Sequence, residues 1–273
     1  MPTRRREQRR ANVHLLGEET SVTYPNTRTQ LILCAFLGLT ATVAQSQQID
    51  VQFSGTFTCP NPCGTRGTAP SVNPAQTGAA VVGNAGDVWN DFSATSLSGV
   101  SLVNTSGVAT GASLSMSEAG TYSGAYTSDP TYDAFTGTSV ANLMQGYLFT
   151  ATRGTITISL TGLGADQSYN LYVYTQGDNN SNGRSIVISA GGVSQIANQT
   201  NLNSLVLDNN YVSEQVTTNA AGDLSIVGTT LAGEGNINGF QLVSAANVPE
   251  PGSVALLGLG FAGLAYRRWR RTS

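Results

Sequence analysis

Between residues 46 and 247, apolar side chains recur at every second position in short runs. Thr155-Ile156-Thr157-Ile158-Ser159-Leu160 alternates strictly, as does Tyr169-Asn170-Leu171-Tyr172-Val173-Tyr174. Successive side chains leave a strand on opposite sides, so a period of two marks strands with one buried and one wet face. Further candidate strands lie at 48–53, 100–103, 108–115, 146–151, 185–190, 193–196, 210–217, 223–227 and 239–243. Gly, Asn, Asp and Ser separate them and supply the turns. Helical periodicity is nearly absent. Eight or more short strands within about 200 residues predict an all-β fold, an antiparallel β-sandwich of jelly-roll type with one sizeable core. Residues 57–86 read as a loop.

Two apolar runs fall outside this pattern. Residues 31–44, LILCAFLGLTATVA, follow Arg28 and end in small side chains. A basic flank, a short apolar core and a small-residue exit make a secretory signal peptide, cut after Ala44 or its neighbour. The second run, Val254 to Tyr266, has thirteen residues. As a helix it reaches about 20 Å, against a hydrocarbon core of about 30 Å, so it is a marginal transmembrane helix. Pro249, Glu250 and Pro251 precede it, and Arg267, Arg268, Arg270 and Arg271 follow. The arginines would hold the far end on the cytoplasmic side, and the prolines stop the helix from growing backward. The chain therefore divides into an N-terminal extension with a short signal helix (1–45), a sandwich domain (46–247) and a tail (248–273).

The tail, Val248-Pro249-Glu250-Pro251-Gly252-Ser253 with its Leu/Gly/Ala-rich run and terminal arginines, resembles the PEP-CTERM sorting signal. That signal belongs to exported proteins of Gram-negative bacteria that make exopolysaccharide. The resemblance implies cutting near the motif by exosortase, a membrane-embedded transpeptidase-like enzyme. The expected route is Sec export, transient anchoring in the inner membrane, then the cell surface or extracellular matrix.

Charge narrows the function classes. Only 11% of residues are charged, against roughly 25% in ordinary domains. The net charge of -3 hides an uneven distribution: residues 45–248 hold three Arg against twelve Asp plus Glu, a net charge near -9. Such a body repels phosphate backbones, so no nucleic-acid partner is expected. The sole histidine, His14, lies in the leader. A Ser-His-Asp or Cys-His relay and a His-bearing zinc site are thereby excluded from the body. No catalytic residues and no cofactor are expected.

The remaining candidates each carry a plain structural alternative. Cys59 and Cys63 could close a five-residue disulfide loop in an oxidising compartment and pin a turn. In Gly86-Asp87-Val88-Trp89-Asn90-Asp91-Phe92, Trp89 could fill the core or meet a sugar. Asp178, Asn180 and Asn182 open like a calcium loop, but Ser189 stands where an EF-hand needs Glu, and a turn-rich hairpin is the simpler account beside a weak calcium site. Asp87 with Asp91, and Asp129 with Asp133, are the closest carboxylate pairs of the kind glycosidases use.

The body is also similar to β-sandwich domains of other PEP-CTERM proteins, which resemble galactose-binding-like jelly rolls. The likeness rests on Gly86-Asp87-Val88-Trp89-Asn90, the Leu160-Thr161-Gly162-Leu163 turn and the Asn238-Gly239-Phe240-Gln241-Leu242-Val243 strand. It implies the fold and makes carbohydrate a natural ligand, with Trp89, Tyr122, Tyr126 and Tyr132 as candidate stacking rings. The expected function is a non-enzymatic, exopolysaccharide-associated surface or matrix protein. The alternative is a secreted polysaccharide-degrading enzyme using paired carboxylates.

Overall fold

The computed structural model describes residues 47–55, 74–120, 123–127, 133–178 and 182–245. The strands follow in chain order: β1 (Gln48–Phe53), β2 (Asn90–Phe92), β3 (Leu97–Val103), β4 (Ala109–Ala119) and β5 (Ser123–Thr127). A single helical turn and a half, α1 (Ala141–Gln145), leads into β6 (Gly146–Ala151), β7 (Thr155–Thr161) and β8 (Ser168–Tyr174). Then come β9 (Arg184–Ala190), β10 (Val193–Gln199), β11 (Tyr211–Thr217), β12 (Leu224–Ala232), β13 (Glu234–Ile237) and β14 (Gly239–Ser244).

They form a five-stranded sheet in the order β11-β8-β14-β1-β2 and a six-stranded sheet in the order β10-β9-β12-β7-β4-β3. A smaller sheet, β13-β6-β5, accompanies them. The fold is the expected antiparallel β-sandwich, with one exception: β1 pairs with β2 in parallel, Val51 opposite Asn90. The main core gathers the inward positions of both large sheets. Ile156, Ile158 and Leu160 of β7 meet Ile49, Val51 and Phe53 of β1 and Leu171 and Val173 of β8 within one cluster. Period-two patterning puts these on one face, and burying each such side chain stabilises by about 1.5–3 kcal/mol.

The two sheets are tied along one side. Gln195 Nε2 of β10 donates to Ser213 O of β11 at 2.8 Å, and Asn198 N donates to Asp208 O at 3.0 Å. At one end, the Gly162 and Gly222 turns pack against each other. Gly222 has φ +79°, and a Cβ there would overlap Leu163 O. Only glycine meets both demands.

A second core sits outside the sandwich. Segments 74–89 and 133–145 lie over the outer face of the five-stranded sheet. There Trp89, Phe135, Val140, Leu143, Met144 and Tyr174 pack together. Each predicted strand run falls on a strand, and part of the expected 57–86 loop covers the sheet. β4 and β12 extend to Ala119 and Ala232, past the runs read at 108–115 and 223–227. Ladder pairing such as Ser117 with Thr157 carries them on where alternation fades. The signal helix and the C-terminal helix lie outside the described residues. Among the described residues no helix is long and apolar enough to cross a membrane.

Candidate functional site

The outer face of β1 is polar yet buried. Ile49, Val51 and Phe53 point into the sandwich, so the period of two sends Gln48, Asp50 and Gln52 the other way. Asp50 and Gln52 are fully buried there. The covering segment satisfies them through its backbone. Gln52 Nε2 donates to Pro74 O at 3.2 Å, and Gln52 Oε1 accepts from Gln76 N at 2.6 Å. Gln241 of β14 accepts from Val82 N and donates to Val82 O at 3.1 Å, and it receives the Tyr174 hydroxyl. Tyr174 in turn accepts from Val81 N at 3.1 Å. These contacts fasten residues 74–87 to the sheet, because an unpaired polar group at such depth costs about 1–3 kcal/mol.

Asp50 is the charge at the centre of this layer. Gln241 Nε2 donates to its Oδ2 at 3.1 Å, and Gln48 Nε2 reaches both oxygens at 3.0 and 3.1 Å. Burial pushes its pKa from 3.8 up to about 7. The two amide donors pull the other way, and Asp87 adds a smaller upward push. Asp133 and Glu214 are also buried, and burial raises them to about 6 and about 7. Asp133 Oδ2 lacks a hydrogen-bond partner among the described residues, while the backbone of Gln195 draws Glu214 part of the way back down. A cleft of about 410 Å³ opens beside β1, lined by Gln47, Gln48, Asn104, Thr105, Ser106, Ala109 and Thr110.

The candidate calcium loop is organised around a cation already in the chain. Arg184 Nη2 lies 3.3 Å from Asp178 Oδ1, and Nη1 donates to Glu234 Oε1 at 2.9 Å. Asn236 Nδ2 also donates to Glu234 Oε1 at 2.9 Å. Asn182 Oδ1 accepts from Asn201 N at 3.0 Å. A guanidinium beside Asp178 opposes a second cation, and Asn182 serves the loop backbone. Asn180 lies outside the described residues.

The aromatic candidates separate. Trp89 is buried, with its indole N–H donating to Gly78 O at 2.9 Å and its ring 6.4 Å from that of Tyr174. This is the core reading of the two offered for Trp89, and it removes the ring from any exposed sugar platform. Tyr126 is half-buried on β5, its ring centre 5.5 Å from that of Tyr147. Tyr122 and Tyr132 lie outside the described residues. So do Cys59, Cys63, Asp129, Pro249, Glu250, Pro251, Arg267, Arg268, Arg270 and Arg271. The described members of the carboxylate pairs hold structure: Asp87 Oδ2 accepts from Asn84 N at 2.7 Å, Asp91 Oδ1 from Ser54 Oγ at 2.7 Å, and Asp133 Oδ1 from Phe135 N at 2.9 Å. Sequence reasoning passed over Asp50, Gln241 and the Arg184 clamp. The signal for the first was a carboxylate set among Ile49, Val51 and Phe53.

The class of protein follows from both ends of this description: a β-sandwich carrying a C-terminal sorting signal of exported, exosortase-sorted proteins. The PEP-CTERM protein-sorting motif matches residues 247–271, the stretch that holds Pro249-Glu250-Pro251 and the arginines. No curated protein matches the chain in sequence. Among solved structures, similarity extends to an exo-β-1,3-galactanase from Phanerochaete chrysosporium, solved with β-1,3-galactotriose. It is 15% identical over 52% of this chain and 32% of that one, with a TM-score of 0.32. A family 35 carbohydrate-binding module from Clostridium thermocellum is 19% identical over 37% of this chain and 78% of its own, with a TM-score of 0.29. The C-terminal family 6 module of a marine laminarinase from Zobellia galactanivorans is 15% identical over 36% and 80%, with a TM-score of 0.26. The chain spans about a third of the length of the galactanase.

Proposed function

We propose that the chain is a non-enzymatic protein of the cell surface or extracellular matrix, delivered by exosortase processing and associated with exopolysaccharide. The observation that carries this reading is the sorting motif at 247–271. The signal-peptide pattern at 31–44 supplies the matching export step through the Sec machinery. The tail then anchors the protein briefly in the inner membrane, with Arg267 to Arg271 on the cytoplasmic side. The described members of the paired carboxylates are tied to backbone or Ser54, which supports a binding or structural role over glycoside hydrolysis.

Cell fractionation of the native host with sequencing of both termini tests the proposal. The expected product lies outside the cytoplasm, starts near residue 45 and ends near the Pro-Glu-Pro motif. Full-length chain free in the cytosol would overturn it.

A further inference from the structure

The strand ladders bring the start and the finish of the body to one end of the sandwich. β1 and β14 lie side by side and antiparallel, so the first residues of one meet the last of the other. Gln48 pairs with Val243, and Ser244 N donates to Gln47 O at 2.9 Å. Ala245, where the described chain stops, is held by its N–H on Ser168 O at 2.9 Å. The segment between this point and the tail is short. Three residues separate Ala245 from Pro249, and eight separate it from the apolar run at Val254. At about 3.3–3.6 Å per residue, Pro249 lies no more than about 14 Å from Ala245, and Val254 no more than about 32 Å. β12 alone, with nine residues, is about 30 Å long. With the apolar run seated in a bilayer, the body could turn its other end to the lipid only by running the linker, fully extended, back along its own side.

Four loops close the tethered end: 104–108, 162–167, 191–192 and 218–223. Thr105 N donates to Gln48 O at 3.2 Å and Leu163 N to Gly222 O at 3.0 Å, while Gly191 lies against Val216 and Thr217. Together the four loops hold two charged side chains, Asp166 and Asp223, and no Lys or Arg. Val108 is 59% exposed among them, and Val193 beside them is 41% exposed. Small, neutral loops lose little hydration on approaching lipid headgroups. Both arginines of the described residues stand at the opposite end: Arg153 just before β7, with its N–H on Thr230 O at 3.0 Å, and Arg184 at the start of β9. Arg184 is already paired with Asp178 and Glu234, so it offers anionic headgroups little attraction.

We infer that the end of the sandwich closed by these four loops is the face held against the inner-membrane surface while the tail is anchored, and that the shortness of the linker holds it there. The inference rests on the anchoring step of the reading above and adds the orientation of the body, with the Arg184 end directed away from the lipid.

The test uses the leader-cleaved form with its tail intact, from a host strain lacking exosortase, reconstituted in phosphatidylethanolamine–phosphatidylglycerol vesicles. With Cys59→Ser and Cys63→Ser as background, a bimane fluorophore is attached through Ser106→Cys at the tethered end or Ser204→Cys at the other. Urea midpoints check that both labelled variants fold. Headgroup nitroxide lipid should quench the label at 106 at least about threefold more than the label at 204. A flexible insertion of about 20 Gly and Ser residues after Ala246 adds about 25 Å of mean reach and should abolish that contrast. Hydrogen exchange of the unlabelled protein gives a second reading: amides of 104–108 and 218–223 should slow on vesicles, and those of 202–206 should not. Equal quenching at the two labels, or stronger quenching at 204, in protein that sediments with the vesicles overturns the orientation and leaves anchoring standing. A contrast that survives the insertion overturns the linker as its cause. A contrast that appears only when exosortase is added makes the face an enzyme contact and overturns the membrane assignment. Protein that does not sediment with the vesicles removes the anchoring step, and the orientation with it.

Discussion

Replacing Asp50 by Asn reports directly on the buried polar layer. The folded-state pKa of Asp50 is about 7 and its ordinary value is 3.8, so the folded chain keeps this proton longer than the unfolded one. The associated stability is full below about pH 4 and is lost as the pH rises through 7. Between pH 5 and pH 8 the linkage relation gives a loss of about 2–3 kcal/mol from this one side chain. Glu214 and Asp133 act in the same direction, so the whole protein should weaken on going alkaline, the reverse of ordinary acid denaturation. In the Asp50→Asn variant, the amide oxygen still accepts from Gln241, and a turned Gln48 amide can accept from the new NH2. Urea unfolding at pH 5, 6, 7 and 8, read as midpoint and slope, measures both proteins. The variant should show a pH dependence smaller than the wild type by about 2 kcal/mol, and should exceed wild-type stability at pH 8. Identical slopes in the two proteins, or a wild type that gains stability from pH 5 to pH 8, would refute the argument.

Three further outcomes are expected. Arg184→Ala strands Asp178 and Glu234 in a partly buried site and should cost about 2–4 kcal/mol in urea unfolding. Trp89→Ala should lower stability by about 3–5 kcal/mol through the cavity it leaves against Tyr174, while Trp89→Phe should leave polysaccharide retention unchanged. Gly222→Ala forces a side chain into Leu163 O at positive φ and should lower the thermal midpoint by several degrees.

The strands were legible because the core demands a period of two, and runs such as 155–160 and 169–174 state it without interruption. β2, β5 and β13 were not, since three to five residues like Asn90-Asp91-Phe92 give no periodicity to count. The parallel pairing of β1 with β2 and the cover formed by 74–89 and 133–145 are tertiary facts. They depend on Gln52 and Gln241 meeting backbone groups over 20 and 150 positions away, and no local pattern encodes that. Asp178 looked like a calcium ligand because spacing along the chain says nothing of Arg184 folding back onto it.

The most direct check is the intact mass of the protein collected from outside the cells. Loss of both the 1–45 leader and most of the 248–273 tail is the predicted result, giving a species well below 28.3 kDa. A single external species carrying every residue through Ser273 would contradict the account.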